Sequence, residues 1–221
     1  MAVVNSLELA PGIVLRREYL SPPEQKKLVA EVLRLTEVAP FYRPQMPRSG
    51  KPFSVEETNF GSLGWLSEPT GYRYSPVHPA TGAPWPSIPA ALLDLWGATA
   101  NYAFEPECCL VNLYRNGARM GAHQDRDEEA VEAPVVSVSL GDAALFRFGG
   151  ANRSDSTKSV KLMSGDVLTF GGPARLMYHG IDRVLSGSSS LVPGGGRVNL
   201  TLRRVARPQK YDARSGGRPG A

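Results

Sequence analysis

The stretch Arg197-Val-Asn-Leu-Thr-Leu-Arg203 alternates polar and apolar residues. This period of two is typical of a β-strand with one apolar and one polar face. The polar face would carry Arg197, Asn199, Thr201 and Arg203. Two interpretations are open: this face meets solvent on an edge strand, or it lines an interior pocket. In a pocket the two guanidinium groups would need anionic partners, and a dicarboxylate ligand supplies two.

Two of the three histidines fall in a second pattern, His123-Gln-Asp125 followed after 53 residues by His179. Side chains two apart on an extended segment point to the same face, so His123 and Asp125 can bind one ion while a distant strand supplies His179. Two imidazoles and one carboxylate form a facial triad, which suits a non-haem Fe(II) that must also take up a cosubstrate and dioxygen. A His-x-Asp triplet alone is a weak signal, because most such histidines are surface or core residues.

The composition predicts one intracellular domain over residues 1–221. A chain of 221 residues with 42% hydrophobic content can bury one sizeable core. Its two cysteines, Cys108 and Cys109, are adjacent, which is poor geometry for a disulfide and normal in a reducing compartment. No stretch approaches the length of a membrane span and the first residues lack an export signal, so we expect a cytoplasmic protein without membrane contact. A net charge of +4 is compatible with a polyanionic partner.

Local patterns divide the chain into a first part with helices and a second part with strands. Ser21-Pro-Pro-Glu24 combines an N-cap, two prolines and a capping-box glutamate, which predicts a helix to about residue 36. Apolar residues at helical spacing predict a second helix over 87–102, and the Pro- and Gly-rich stretch 40–86 predicts a lid or hairpin system. Short strands are predicted at 109–115, 134–140, 143–149, 159–163, 166–170, 175–180 and 197–205, with a flexible connector over 186–196 and an unstructured tail over 206–221. Strands at this spacing indicate a closed or double-sheet β core.

These patterns resemble the AlkB family of 2-oxoglutarate- and Fe(II)-dependent dioxygenases, which repair alkylated nucleobases. The similarity covers about residues 11–205. It includes Asn59-Phe-Gly-Ser-Leu-Gly-Trp65, Gly71-Tyr-Arg-Tyr-Ser-Pro76, Pro84-Trp-Pro86, Asn112-Leu-Tyr114, His123-Gln-Asp-Arg-Asp-Glu128, Val136-Ser-Val-Ser-Leu-Gly141, Phe146-Arg-Phe-Gly-Gly150, Gly165-Asp-Val167, Tyr178-His-Gly180 and Arg197-x-Asn-x-Thr-x-Arg203. The resemblance implies one catalytic domain that is mainly β with N-terminal helices (α+β). Residues 1–108 would hold the helices and a nucleotide-recognition lid around 40–86, and residues 109–205 a double-stranded β-helix, or jelly roll.

The resemblance also implies the residues that bind Fe(II) and 2-oxoglutarate. The metal ligands would be His123, Asp125 and His179, and Arg203 would join them as a catalytic residue. Arg197 is the first choice for the distal carboxylate of 2-oxoglutarate. The cosubstrate pocket would contain Asn112, Tyr114, Arg197, Asn199 and Arg203. Which arginine meets which carboxylate is left open, and the alternative for Asn112 and Tyr114 is an ordinary strand with a turn after it.

On the substrate side, the resemblance implies that Trp65 stacks on a flipped base and that Tyr72 contacts the base or the backbone. Asp127 would lie near the base edge, with Arg126 and Arg153 near phosphates. Trp65 could instead anchor the lid as a hydrophobic residue. The three consecutive charges at 126–128 could instead form a solvated turn.

The reaction implied by the resemblance is oxidative demethylation of 1-methyladenine and 3-methylcytosine in single-stranded DNA, with Fe(II), 2-oxoglutarate and O2, and with release of formaldehyde. The partners would be single-stranded DNA with alkylated bases, or RNA, and the protein would be a monomer. Glu57 stands where the resemblance leads us to expect an apolar or small residue, so the base preference is open. One alternative is the same chemistry on RNA, tRNA or protein. Another is a non-catalytic jelly-roll protein that binds metal and nucleic acid.

Overall fold

Strands make up most of the ordered elements of this chain. A computed structural model describes residues 5–208. Within them the helices are α1 (Pro22–Leu35) and α2 (Ala90–Thr99), and a 3₁₀ turn covers Gly172–Ala174. The strands are β1 (Asn5–Ala10), β2 (Ile13–Arg17), β3 (Glu56–Gly61), β4 (Gly64–Glu68), β5 (Gly71–Ser75), β6 (Cys108–Tyr114), β7 (Met120–His123), β8 (Val135–Gly141), β9 (Ala144–Phe148), β10 (Lys158–Leu162), β11 (Val167–Phe170), β12 (His179–Val184) and β13 (Arg197–Arg203). The prediction of a mainly β protein with helices in its N-terminal half is confirmed.

Two antiparallel sheets form the framework. The larger has the strand order β1-β2-β11-β8-β13-β6-β3, and the smaller has the order β10-β9-β12-β7. β4 pairs with β5 in a separate hairpin. Leu168 of the larger sheet packs in one apolar cluster with Phe146 and Ile181 of the smaller sheet, so the two sheets face each other. Two facing antiparallel sheets are the architecture of the predicted jelly roll.

Strand β13 lies in the interior of the larger sheet, between β8 and β6. Its apolar side chains Val198, Leu200 and Leu202 pack in one cluster with residues of both helices. Its polar side chains therefore point the other way, toward the smaller sheet. Arg197 is 1% exposed and Arg203 is 6% exposed. The interpretation of this row as the solvent face of an edge strand is wrong, and the interior interpretation is correct.

Helix α1 matches its prediction, whereas α2 is shorter than predicted at both ends. The Glu24 carboxylate accepts a hydrogen bond from the Ser21 amide at 2.7 Å, which closes the predicted capping box. α2 begins at Ala90 rather than near residue 87, because a residue that precedes a proline disfavours helical dihedrals and Ile88 precedes Pro89. The helix ends at Thr99, and Asn101 then adopts a left-handed conformation with a φ of 49°.

The largest differences from the predicted elements concern residues 40–86 and 175–180. Three strands occupy part of the supposedly irregular stretch 40–86, and β3 among them extends the larger sheet. The predicted strand at 175–180 is wrong, because a 3₁₀ turn and loop precede His179, where β12 starts. Strands β1, β2 and β7 were not predicted.

The segment between β12 and β13, which was predicted to be a flexible connector, is held in place by hydrogen bonds to Asp142. The Asp142 carboxylate accepts hydrogen bonds from the amides of Gly187 at 3.2 Å, Ser189 at 2.9 Å and Gly196 at 3.2 Å. The first residues of the predicted tail are also held, since the Ala206 amide donates to Glu107 at 2.7 Å. The rest of that tail, residues 209–221, lies outside the described residues. Neither described helix is long and apolar enough to span a membrane.

Candidate active site

His123, Asp125 and His179 come together at one end of the smaller sheet. His123 ends β7 and His179 begins β12, and the two residues face each other across the pairing of these strands. The Asp125 oxygens lie 3.9 Å from His123 Nε2 and 3.6 Å from His179 Nε2. All three ligand atoms lie within 4.8 Å of one another. This arrangement can hold one divalent metal ion, as the sequence pattern predicts.

Main-chain carbonyls orient both imidazoles. Nδ1 of His123 lies 2.9 Å from the Gly121 oxygen, and Nδ1 of His179 lies 3.0 Å from the Met177 oxygen. A proton on each Nδ1, donated to these carbonyls, leaves the Nε2 lone pairs free toward Asp125. A hydrogen bond of this kind fixes the tautomer and ring orientation of metal-binding histidines.

The electrostatics of the cluster favour the deprotonated forms that a metal requires. Burial raises the pKa of Asp125, but the attraction of Arg203, whose Nη2 donates to Oδ1 at 2.7 Å, outweighs burial and lowers the pKa below its usual range. Burial, together with repulsion by His123, lowers the pKa of His179 to about 4. At neutral pH Asp125 is therefore anionic and His179 neutral, as metal binding requires.

Arg197 lies deeper in the same interior and has unsatisfied donors. Its Nη2 donates to Ser139 Oγ at 3.0 Å, whereas its Nε and Nη1 have no partner among the described residues. Burial lowers the pKa of this guanidinium to about 10, which leaves it charged at neutral pH. Arg203 Nε and Asn112 Oδ1 are also buried without a partner. Orphaned buried polar groups of this kind are rare in folded proteins, and the guanidinium donors of Arg197 and Arg203 fit the carboxylates of 2-oxoglutarate.

Asn199 differs from this group because its amide is already used within the protein. Its Nδ2 donates to Ser137 Oγ at 2.8 Å and to the Val138 carbonyl at 2.9 Å, and its Oδ1 accepts a bond from Thr201 at 3.1 Å. Its side chain is therefore fixed before any ligand binds.

One cavity of about 610 Å³ joins these groups. Every residue predicted from the sequence to bind metal, cosubstrate or substrate lines this cavity, namely Trp65, Tyr72, Asn112, Tyr114, His123, Asp125, Arg126, Asp127, Arg153, His179, Arg197, Asn199 and Arg203. Tyr114, which could have been an ordinary strand residue, is buried to 2% exposure and faces this interior.

The mouth of the cavity carries an aromatic pair from the β4–β5 hairpin. The rings of Trp65 and Tyr72 stack with centroids 5.3 Å apart and an interplanar angle of 23°. Trp65 Nε1 donates to the Asp127 carboxylate at 2.8 Å. The Asn59 side chain holds the main chain of Trp65 through bonds of 3.0 and 3.1 Å. The indole is thus fixed at its main chain and at its polar edge.

The charges that follow the metal cluster divide into two environments. Arg126 and Asp127 are exposed at the cavity mouth. Glu128 is only 3% exposed, so the interpretation of all three as a solvated turn is wrong for this residue. Arg153 lies over the Tyr178 ring, 5.9 Å from its centroid, on the same rim.

Comparison with known proteins assigns the chain to a family. A model described as the 2OG-Fe(II) oxygenase superfamily matches residues 12–203. The alpha-ketoglutarate-dependent dioxygenase AlkB homolog of Caulobacter vibrioides is 55% identical over 205 residues, which cover 92% of each chain. AlkB of Escherichia coli K12 is 40% identical over 204 residues, or 90% of this chain and 93% of that protein. The chain belongs to the AlkB family. It also matches the solved structure of OsALKBH1 with a TM-score of 0.74, 33% identity and coverage of 90% of this chain and 100% of that one.

Membership of the AlkB family makes this protein a dioxygenase that depends on Fe(II), 2-oxoglutarate and O2. The cluster of His123, Asp125 and His179 has the donor set that Fe(II) needs. The unpartnered guanidinium nitrogens of Arg197 and Arg203 provide donors for a dicarboxylate in the same cavity.

Sequence reasoning missed a buried network behind the metal cluster of this AlkB-family enzyme. Glu128 accepts hydrogen bonds from Arg175 at 2.9 Å, from Arg203 at 3.4 Å and from the Tyr74 hydroxyl. Arg175 also donates to the Asp125 carbonyl and, at 2.9 Å, to the Ala133 carbonyl. These long side chains connect segments that are distant in the sequence, so no local sequence pattern predicts their contacts. By contrast, the serines in Val136-Ser-Val-Ser-Leu-Gly141 alternate with valines, and this alternation could have assigned them to the interior polar face.

Proposed function

We propose that this dioxygenase removes N-methyl groups from 1-methyladenine and 3-methylcytosine in single-stranded DNA and releases formaldehyde. The observation that carries the proposal is the continuity of one cavity from the metal cluster to the aromatic pair at its mouth. A base that enters past Trp65 would bring its methyl group toward the cluster of His123, Asp125 and His179. An enzyme that acts on a base must take it out of the stack and hold it in such a pocket.

His123, Asp125 and His179 would hold Fe(II), which together with 2-oxoglutarate and O2 supplies the oxidation of the methyl carbon. The protein's part would be to hold these three ligands together and to keep Asp125 and His179 in the deprotonated forms that a metal requires. Arg203 supports this role because its bond to Asp125 fixes the carboxylate and stabilises its negative charge.

Arg197 would bind the distal carboxylate of 2-oxoglutarate. Its Nε and Nη1 are unpartnered, and no carboxylate of the described chain lies within ion-pair distance of it. Arg203 is already engaged by Asp125 and Glu128 and has only Nε left over. This difference supports Arg197 as the residue that binds the distal carboxylate of 2-oxoglutarate, with Asn112 and Tyr114 beside it. Asn199 would support the pocket through its bonds to the sheet.

The side chains at the mouth of the cavity would select and position the nucleic acid. Methylation at these ring nitrogens gives the base a positive charge, which aromatic faces and a carboxylate stabilise. Trp65 and Tyr72 supply the aromatic surface, and Asp127 supplies the carboxylate. Arg126 and Arg153 would contact phosphates, which position a strand without reading its sequence.

RNA is the second candidate substrate, because relatives with the two kinds of substrate match this chain. A relative from Arabidopsis thaliana named DNA N(6)-methyladenine demethylase ALKBH1C is 32% identical over 228 residues, and the match covers 49% of that protein. A relative from Schizosaccharomyces pombe named tRNA demethylase abh1 is 24% identical over 251 residues.

The protein would act as a cytoplasmic monomer with a single catalytic domain, in which residues around 40–86 serve as the nucleotide-recognition lid. The free, buried thiols of Cys108 and Cys109 support a reducing compartment. The position of the β4–β5 hairpin at the cavity mouth supports the lid.

Formaldehyde release tests the proposal. Oligonucleotides with one 1-methyladenine or one 3-methylcytosine, in DNA and in RNA, would be incubated with the enzyme, Fe(II), ascorbate and 2-oxoglutarate. We expect formaldehyde from the DNA oligonucleotides. Faster release from RNA would favour the second candidate, and no release from either would refute demethylation of nucleic acids.

A further inference from the structure

Glu57 is a buried acid that the reaction described so far does not use. It is 0% exposed, and neither of its carboxyl oxygens has a hydrogen-bond partner among residues 5–208. It lies on the outer strand β3 opposite Asn112 of β6, and its side chain lines the cavity. Two residues later on β3, Asn59 holds the main chain of Trp65. Glu57 therefore lies between the cosubstrate pocket and the aromatic rim.

An unpartnered carboxyl in this position lowers the stability of the folded protein. Burial of a polar group without a hydrogen bond is unfavourable, and an apolar side chain would avoid that cost. Burial raises the pKa of Glu57 to about 8, although attraction to Arg203 opposes the increase. Unsatisfied buried polar groups in native structures are characteristic of functional sites, where a ligand completes the bonding.

With a pKa of about 8 the Glu57 carboxyl is mostly protonated at neutral pH, and a bound cation that offers a hydrogen-bond donor would stabilise its ionised form. The carboxylates of the dianion 2-oxoglutarate would oppose this ionisation and have no proton to donate. A cationic N-methylated base offers both a positive charge and an exocyclic amino group. In 1-methyladenine and 3-methylcytosine this amino group sits on the ring atom next to the methylated nitrogen. When the methyl group points toward the metal cluster, the amino group therefore lies beside it.

We propose that Glu57 is a specificity-determining residue, whose carboxyl group accepts a hydrogen bond from the exocyclic amino group of a cationic N-methylated base. The enzyme thereby favours such a base over a neutral methylated base that presents a carbonyl oxygen at the same position. This inference rests on the proposed function and adds to it the chemical feature by which the lesion is selected.

The test compares two DNA oligonucleotides that differ in one base, 3-methylcytosine or 3-methylthymine. The two bases place their methyl groups alike, but the first is a cation with an amino group and the second is neutral with a carbonyl. The ratio of kcat/KM values from formaldehyde release, and the ratio of Kd values from fluorescence anisotropy, would be measured for wild type and Glu57→Gln. Glu56→Gln is the matched control, since Glu56 is the preceding residue on β3, pairs with Arg43 at 3.2 Å and does not line the cavity.

We expect Glu57→Gln to reduce the preference for 3-methylcytosine about tenfold, which corresponds to about 1.4 kcal/mol. The decrease in kcat/KM should occur with 3-methylcytosine, because an amide lacks the negative charge. With 3-methylthymine the amide can donate a hydrogen bond to the carbonyl. Glu56→Gln should keep the wild-type ratio. If Glu57→Gln lowers the melting temperature, Glu57→Met serves in its place, and the same fall in preference is expected.

Three results would overturn the inference. An unchanged ratio in the Glu57 variant would make this residue a buried acid without a role in selection. A changed KM for 2-oxoglutarate with an unchanged ratio would assign Glu57 to the cosubstrate instead. In both cases wild type still demethylates 3-methylcytosine, so the proposed function stands. Absence of formaldehyde from both oligonucleotides with wild type would refute the proposed function and the Glu57 assignment together.

Discussion

The inner end of the cavity and its mouth are built in different ways. At the inner end, Asp125, His179, Arg197 and Arg203 are each less than 10% exposed. Strand pairing sets the positions of His179, Arg197 and Arg203, since His123 lies opposite His179 and β13 pairs with β6 and β8. At the mouth, Tyr72 is 49% exposed, and it lies on a hairpin whose two strands pair only with each other.

This difference indicates how each end should respond to change. A two-stranded hairpin is marginally stable alone, so the mouth depends on a few side-chain bonds such as Trp65 to Asp127. The inner end is held by continuous sheets, and most of its polar groups are buried, so the loss of a partner leaves a buried group unsatisfied. Substitutions at the inner end should therefore remove activity, whereas substitutions at the mouth should change affinity by degrees.

The largest effect is expected at the metal cluster. His123→Ala, Asp125→Ala and His179→Ala should each abolish turnover while the fold is largely kept, because the β core does not depend on the ion. Formaldehyde release, bound iron per chain and thermal unfolding would be measured for each variant. Asp182→Ala is the control, since this exposed aspartate lies on β12 three residues after His179.

Activity like that of wild type in any one of the three variants would remove that residue from the proposed triad. A variant that loses melting temperature more than activity would indicate a structural metal site instead.

The next effect separates the two interior arginines from surface charge. Arg197→Lys and Arg203→Lys should each raise the KM for 2-oxoglutarate by about tenfold or more, since an ammonium cannot reproduce the planar fork and a hydrogen bond to a charged group contributes roughly 1.5–3 kcal/mol. Arg183→Lys, at an exposed position of β12, should leave this KM unchanged. The same dependence on 2-oxoglutarate in all four proteins would contradict the arginine pocket.

The chemistry of the inner end could be predicted from the sequence because it depends on short-period patterns. The alternation in 197–203 defined a polar face, and His123 and Asp125 two residues apart defined a shared face. The pairing of β7 with β12 could not be predicted, because Met120-Gly-Ala-His123 has no alternating apolar pattern. Contacts of long side chains, such as Arg175 to Glu128, join segments 47 residues apart and leave no local signal.

The mouth was harder to predict because its strands are short and rich in glycine and charge. Strand β3 carries Glu56 and Glu57, which have low β propensity, yet it completes the larger sheet. Only its pairing with β6 makes Glu57 an interior residue. The resemblance to AlkB named Trp65 and Tyr72, and their stacking became visible only in three dimensions.

A graded effect is expected for Trp65. Trp65→Ala should weaken binding of a methylated oligonucleotide by roughly 1–3 kcal/mol, the usual contribution of an aromatic stack on a base. Trp65→Phe should keep part of this affinity because a smaller ring remains. Fluorescence anisotropy would measure the Kd. Succinate formation without oligonucleotide would show whether the metal and 2-oxoglutarate sites at the inner end still function. Normal DNA binding by Trp65→Ala would remove Trp65 as the base platform and move that assignment to Tyr72.

The smallest effect is expected for the rim cations. Arg126→Ala and Arg153→Ala should weaken binding equally for methylated and unmethylated strands, because phosphate contacts do not read the base. Each should reduce the slope of log Kd against log salt by about 0.7, the value for one phosphate contact on a single strand. Lys27→Ala, an exposed residue of α1 outside the cavity, is the control. A slope unchanged from wild type would exclude the substituted arginine from the phosphate path.

The central claim is that both ends of the cavity act on one substrate, and product stoichiometry tests it most directly. Succinate and formaldehyde would be measured in the same reaction, with an oligonucleotide that carries one 3-methylcytosine, and mass spectrometry would follow the oligonucleotide. We expect one formaldehyde and one demethylated base for each succinate formed above the level without oligonucleotide. Succinate formation without formaldehyde or demethylated product would contradict it.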